Sequence, residues 1–116
     1  MMFKFENLEV WKKSMDLIVS IDKTSKKFPK EEQYILTSQI KRAGDSITLN
    51  IGEGSQGQSN PEFSKFLGYS IRSCIEVVCC IYIARVRNII DDEDFDIIYS
   101  RCEELVKMLQ SLRNKL

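Results

Sequence analysis

Leu36-Thr37-Ser38-Gln39-Ile40-Lys41-Arg42-Ala43-Gly44-Asp45-Ser46-Ile47-Thr48-Leu49-Asn50-Ile51-Gly52-Glu53-Gly54 carries two lines of residues that run side by side. Leu36, Ile40, Ala43, Ile47 and Ile51 recur in steps of three and four, the apolar stripe of an α-helix. Gln39, Arg42, Ser46, Asn50 and Glu53 keep the same spacing and form a polar line next to it. A helix with a polar seam beside its core face has a partner to bond. Gly52 and Gly54 are expected to end it, because glycine enters the left-handed turn at a helix C-terminus without a Cβ penalty.

Outward from this helix, the chain reads as helix on both sides. Phe28-Pro29 separates it from an earlier one over Leu8–Lys27, since a residue before proline is driven out of helical geometry. That first helix has Asn7 as its expected N-cap and an apolar stripe of Leu8, Trp11, Met15 and Ile18, widened by Val10, Leu17 and Ile21. The central helix starts near Lys30 or Glu31. After it comes the turn-rich GEGSQGQSN, residues 52–60, and then a third helix opened by Asn60 as cap and Pro61 at its first position. This helix runs to about Asn88 with an apolar girdle wider than one bundle core covers, which points to burial against other subunits. The fourth begins at Asp91 or Asp92, and Phe95, Ile98, Cys102, Leu105, Leu109, Leu112 and Leu116 repeat every seven residues. No strand signal competes. The fold class is all-α: one domain, residues 1–116, as an antiparallel up-down-up-down four-helix bundle.

Composition narrows the function without defining it. Seventeen basic and seventeen acidic residues cancel, so no net field draws the monomer to nucleic acid or membrane. No uninterrupted apolar run approaches the roughly 18–20 residues of a membrane span, and the start, MMFKFENLEV, has no signal-peptide pattern. A cytoplasmic protein is expected. Four cysteines, Cys74, Cys79, Cys80 and Cys102, lie among apolar residues without a Cys-x-x-Cys, and there is no histidine. Buried reduced thiols are expected, with no metal site and no cofactor.

The polar seam has a counterpart in the third helix, Ser70, Ser73 and Glu76. Antiparallel packing predicts a structural network centred on an Arg42–Glu76 pair, flanked by Gln39, Ser46, Asn50 and Ser73, because a buried arginine must be paired or face water. Catalysis is not expected. Glu53 and Glu76 are the carboxylates placed for a base, yet neither has a second carboxylate, a nucleophile or a phosphate loop beside it. Lys12, Lys13, Lys23, Lys26, Lys27, Arg85 and Arg87 are the candidates for nucleic-acid contact, and a symmetric ring would repeat such a patch around its axis.

Phe5-x-x-Leu8-x-Val10-Trp11, Phe28-Pro29-x-x-Glu32, Ser38-Gln39-Ile40-x-Arg42-Ala43, Asn50-Ile51-Gly52-Glu53-Gly54, Phe63-x-x-Phe66-Leu67 and Ser73-x-x-Glu76 follow one another in order. Together they resemble the four-helix-bundle proteins of the 23S rRNA intervening-sequence type. The resemblance implies a bundle that associates with itself as a homopentamer. It also implies kinship in fold with the accessory proteins of diversity-generating retroelements, which bind reverse transcriptase and nucleic acid. Two positions depart from the family pattern. Gln56-Gly57-Gln58 stands where Gly-Arg is usual, and Arg72 replaces a small residue before Ser73. The function expected is a non-enzymatic oligomeric interaction module for RNA or a ribonucleoprotein partner, or else a structural, protein-binding scaffold.

Overall fold

The computed structural model describes residues 2–116. Its four helices are α1 (Glu9–Ser25), α2 (Leu36–Ser55), α3 (Asn60–Val86) and α4 (Asp92–Asn114), with single 3-10 turns at Lys4–Asn7 and Lys30–Glu32. No strand occurs among the described residues. Each helix packs on its neighbour in the chain and α1 closes on α4, while no Cα of α1 lies within 8 Å of α3, nor of α2 within 8 Å of α4. The helices therefore stand at the corners of a square, in chain order.

Cross-helix contacts show that neighbours run antiparallel. Met15 meets Thr48 while Ile21 meets Gly44. Gln39 meets Glu76 while Ser46 meets Ser73, and Lys13 pairs with Glu104 while Lys27 pairs with Asp94. Inside the square lie Leu17, Ile21, Ile40, Ile47, Ile51, Leu67, Val77, Ile81, Ile98, Leu105 and Leu109, each at most 1% exposed. The seven-residue repeat of α4 is core from Phe95 to Leu109 and loosens after it, with Leu116 at the surface. The α1 core face is the second of its two stripes, Val10, Leu17 and Ile21. Met15, from the first stripe, lies at the surface because it faces the outside of the α1–α2 seam.

Boundaries differ from the sequence reading at the α3 cap, which is Ser59 in place of Asn60, and at three further places. Residues 33–35 separate the 3-10 turn from α2, and the Glu32 carboxylate accepts the Leu36 N–H at 3.4 Å, serving one of the orphan donors of the first turn. The α1 start is at Glu9, not after Asn7, because Lys4–Asn7 folds into its own turn. The α2 helix passes through Gly52 and Gly54, and no glycine has positive φ. Gly54 is required for another reason: an added Cβ would stand 2.5 Å from Phe66 Cβ, so glycine lets α2 and α3 approach at their shared turn.

The α3 helix is capped by Ser59, whose Oγ accepts the Glu62 N–H at 3.2 Å, placing Pro61 in the first turn. It ends where Asn88 takes φ 58° and the Ile89 N–H bonds back to Ala84 at 3.0 Å, the left-handed closure open to asparagine. Asp91 caps α4 by accepting the Asp94 N–H at 2.7 Å. By length and composition alone α3 could cross a membrane, although only 39% of its most apolar window is buried in the bundle.

Candidate functional site

The seam between α2 and α3 is a line of short polar contacts. The hydroxyls of Ser46 and Ser73 lie 2.9 Å apart, and Asn50 Nδ2 donates to the Ser46 carbonyl at 2.8 Å and its Oγ at 3.0 Å. Ser70 Oγ, fully buried, donates to the Ile47 carbonyl at 2.8 Å across the helix interface. Gln39 Nε2 donates to Glu76 Oε2. Arg42 does not take that carboxylate. It is exposed and has no ion pair among the described residues, so the expected Arg42–Glu76 pair gives way to an amide–carboxylate contact. The physical reason is geometric: the rotation of α2 about its axis turns Arg42 to solvent and brings Gln39 to Glu76. The seam is nearly neutral, and nothing in it sets an acid against a base.

The cationic candidates are divided by counter-charges. Lys12 pairs with Glu9 at 3.5 Å, Lys13 with Glu104 at 3.0 Å and Lys27 with Asp94 at 2.9 Å. The Asp94 carboxylate, by hydrogen bond and by charge, raises the Lys27 pKa. Arg87 bonds both oxygens of Glu32. Arg85 lies 3.4 Å over the Phe95 ring, a cation–π contact that leaves its charge at the surface. Lys23 and Lys26 are exposed at the end of α1. Lys23, Lys26, Lys27, Arg85 and Arg87 share one end of the bundle with the acidic start of α4, while Lys12 and Lys13 lie toward the other, so no single positive face forms from them.

Three thiols are core atoms. Burial pushes Cys80 up to about 11 and Cys102 to about 12, and Cys74 higher still. Cys79 departs from the expectation and is exposed. Its neighbour Cys80 takes the inward position, and a step of one residue rotates the side chain about 100° around the helix. No group of three metal-ligating side chains gathers among the described residues.

Two of the concave features are mainly apolar. Between α1 and α2 a groove of about 690 Å³ is lined by Phe3, Phe5, Trp11, Met15, Leu49 and Glu53, among others. Phe3 stacks on Phe5 at 5.8 Å, the Phe5 and Trp11 rings meet tilted at 5.0 Å, and the Lys4 N–H donates to Gln56 Oε1 at 3.0 Å. The lead-in thus docks on its own bundle and forms one end of the groove. Between α3 and α4 a second groove of about 260 Å³ includes Ile75, Val78, Cys79 and Tyr99. The sequence signalled excess apolar surface but not these two sites, which depend on how the square is assembled.

A square of antiparallel helices with a neutral seam and two apolar flanks defines a small four-helix bundle. Residues 6–111 match the family described as 23S rRNA-intervening sequence protein, and the chain belongs to that family. A solved structure from Bacteroides thetaiotaomicron VPI-5482, described as a protein with unknown function from the S23 ribosomal protein family, is 27% identical to the chain. The match covers 90% of this chain and 97% of that one, with a TM-score of 0.83. No curated protein matches.

Proposed function

We propose that the protein is a non-enzymatic cytoplasmic interaction module that assembles as a homopentameric ring and presents that ring to RNA or a ribonucleoprotein partner. The observation that carries the self-association is the apolar surface left on two flanks of the bundle. Ile75, Tyr82, Ile83 and Val86 on α3 and Met15, Val19 and Leu49 on α1 and α2 are between 39% and 81% exposed. A monomer that keeps apolar surface of this extent on two flanks has a partner for it. Membership of the 23S rRNA-intervening sequence family supports the ribonucleoprotein context.

A second reading, a scaffold for protein partners with no nucleic-acid contact, is favoured by the pairing of Lys12, Lys13, Lys27 and Arg87 with carboxylates. One pair of measurements separates them. Light scattering gives the mass of the assembly, with five copies expected. RNA binding is then followed across a salt series. A steep loss of affinity with salt marks phosphate contacts, and absence of binding at low salt leaves the scaffold.

A further inference from the structure

We infer that the exposed ridge of α3 in one copy of the chain seats in the α1–α2 groove of the next copy. This rests on the self-association proposed above and names its two surfaces. They are different surfaces on different sides of the square, the groove between α1 and α2 and the ridge on α3. One copy can therefore use both at once. Copies join head to tail, an arrangement that closes into a ring when the rotation between neighbours permits.

Shape and charge both favour this pairing. The ridge projects Ile75, Tyr82, Ile83 and Val86 from a helix whose most apolar window is only 39% buried. The groove is walled by Trp11, Met15 and Leu49 and has Gly52 in its lining, where the absence of a side chain leaves room for an inserted one. Glu53 is the one charged residue lining it, and residues 45–56 carry Asp45 and Glu53 with no lysine or arginine. Residues 70–86, the ridge, carry Arg72 and Arg85 against Glu76 alone. Gln39 already bonds that glutamate, and neither arginine has an ion pair among the described residues. An apolar ridge flanked by Arg72 and by Arg85, which lies over the Phe95 ring, meets an apolar groove whose one charged lining residue is Glu53, which fixes orientation as well as contact.

The test uses two full-length variants, Leu49→Lys in the groove and Ile83→Glu on the ridge. Both positions are surface-exposed, so each variant is expected to keep the helical circular dichroism of the parent. Each alone is expected to run as a 13.5 kDa monomer where the parent assembles. Mixed in equal amounts, they reassociate, because one supplies an intact ridge and the other an intact groove. If only one variant dissociates, the surface pairs with itself, and the head-to-tail assignment is overturned while self-association stands. Two variants that stay assembled, or a mixture that stays monomeric, overturn the assignment as well. A parent that is itself monomeric overturns the self-association beneath it.

Discussion

Arg87, the first residue after α3, bonds both carboxylate oxygens of Glu32 from one guanidinium nitrogen, at 2.9 and 3.1 Å. Glu32 is 8% exposed and also accepts the Leu36 N–H that opens α2. One carboxylate thereby ties the α1–α2 connection to the far end of α3. It joins elements 55 residues apart in the chain.

Removing the arginine leaves a buried carboxylate without its cation. Arg87→Ala is expected to lower unfolding free energy by about 1.5–3 kcal/mol, the range for hydrogen bonds to charged groups. Adding Glu32→Gln to Arg87→Ala is expected to recover part of that loss, since the neutral amide no longer needs a counter-charge. Urea denaturation of the two single variants and the double variant measures the coupling. Strictly additive effects would show that the pair does not act as a unit.

The helices and their core were legible in the sequence because a stripe such as Leu36, Ile40, Ala43, Ile47 and Ile51 is a property of one helix alone. The polar line was legible for the same reason, but its pairing was not. Whether Gln39 or Arg42 meets Glu76 depends on the rotation of α2 about its axis, which the packing of Gly44 on Ile21 and Gly54 on Phe66 helps to set. The ion pairs that divide the basic residues, Lys13–Glu104 and Lys27–Asp94, join the first helix to the last. Local spacing cannot show such contacts.

Arg42 and Gln39 make a discriminating pair of substitutions. Arg42→Ala removes an exposed side chain without an ion pair among the described residues and is expected to change stability by less than about 0.5 kcal/mol. Gln39→Ala takes the hydrogen bond from the half-buried Glu76 and is expected to cost about 0.5–1.5 kcal/mol. Thermal melts of both variants decide it. A larger loss at Arg42 would restore the pairing suggested by spacing alone.

The two late glycines of α2 should respond in opposite directions. Gly52→Ala adds a Cβ whose nearest neighbour is a Phe5 ring carbon at 3.8 Å, an ordinary contact. In a helix interior that change is expected to stabilise the unassembled Ile83→Glu chain by about 0.5–1 kcal/mol. Gly54→Ala places its Cβ 2.5 Å from Phe66 Cβ, an atom fixed to the α3 backbone, so the helices must separate. A loss of about 1–3 kcal/mol is expected, the range for overpacking. Urea midpoints of the two variants give the comparison, and equal effects would contradict the close approach.

Thiol chemistry reads core and surface together. Burial is the main cause of the raised pKa at Cys80, Cys102 and Cys74, with Glu76 adding to it at Cys80 and Cys102 adding to it at Cys74. A thiol raised in the folded state holds its proton where the unfolded chain, near 9.0, releases it. Unfolding then liberates protons, so stability is full below pH 9 and falls as pH climbs toward about 12, the value for Cys102. Lys27, raised by Asp94, adds to the loss above 10.5. Urea midpoints at pH 7, 9 and 10 should decline in that order. Cys102→Ala should be less stable at pH 7 and show a shallower decline. With a thiol-specific reagent at mild pH, the folded Ile83→Glu chain should expose one fast-reacting thiol, Cys79, and the unfolded chain all four. Two fast thiols in the folded chain would mean that the α3 core face opens, and the packing of Cys74 and Cys80 described above would be wrong.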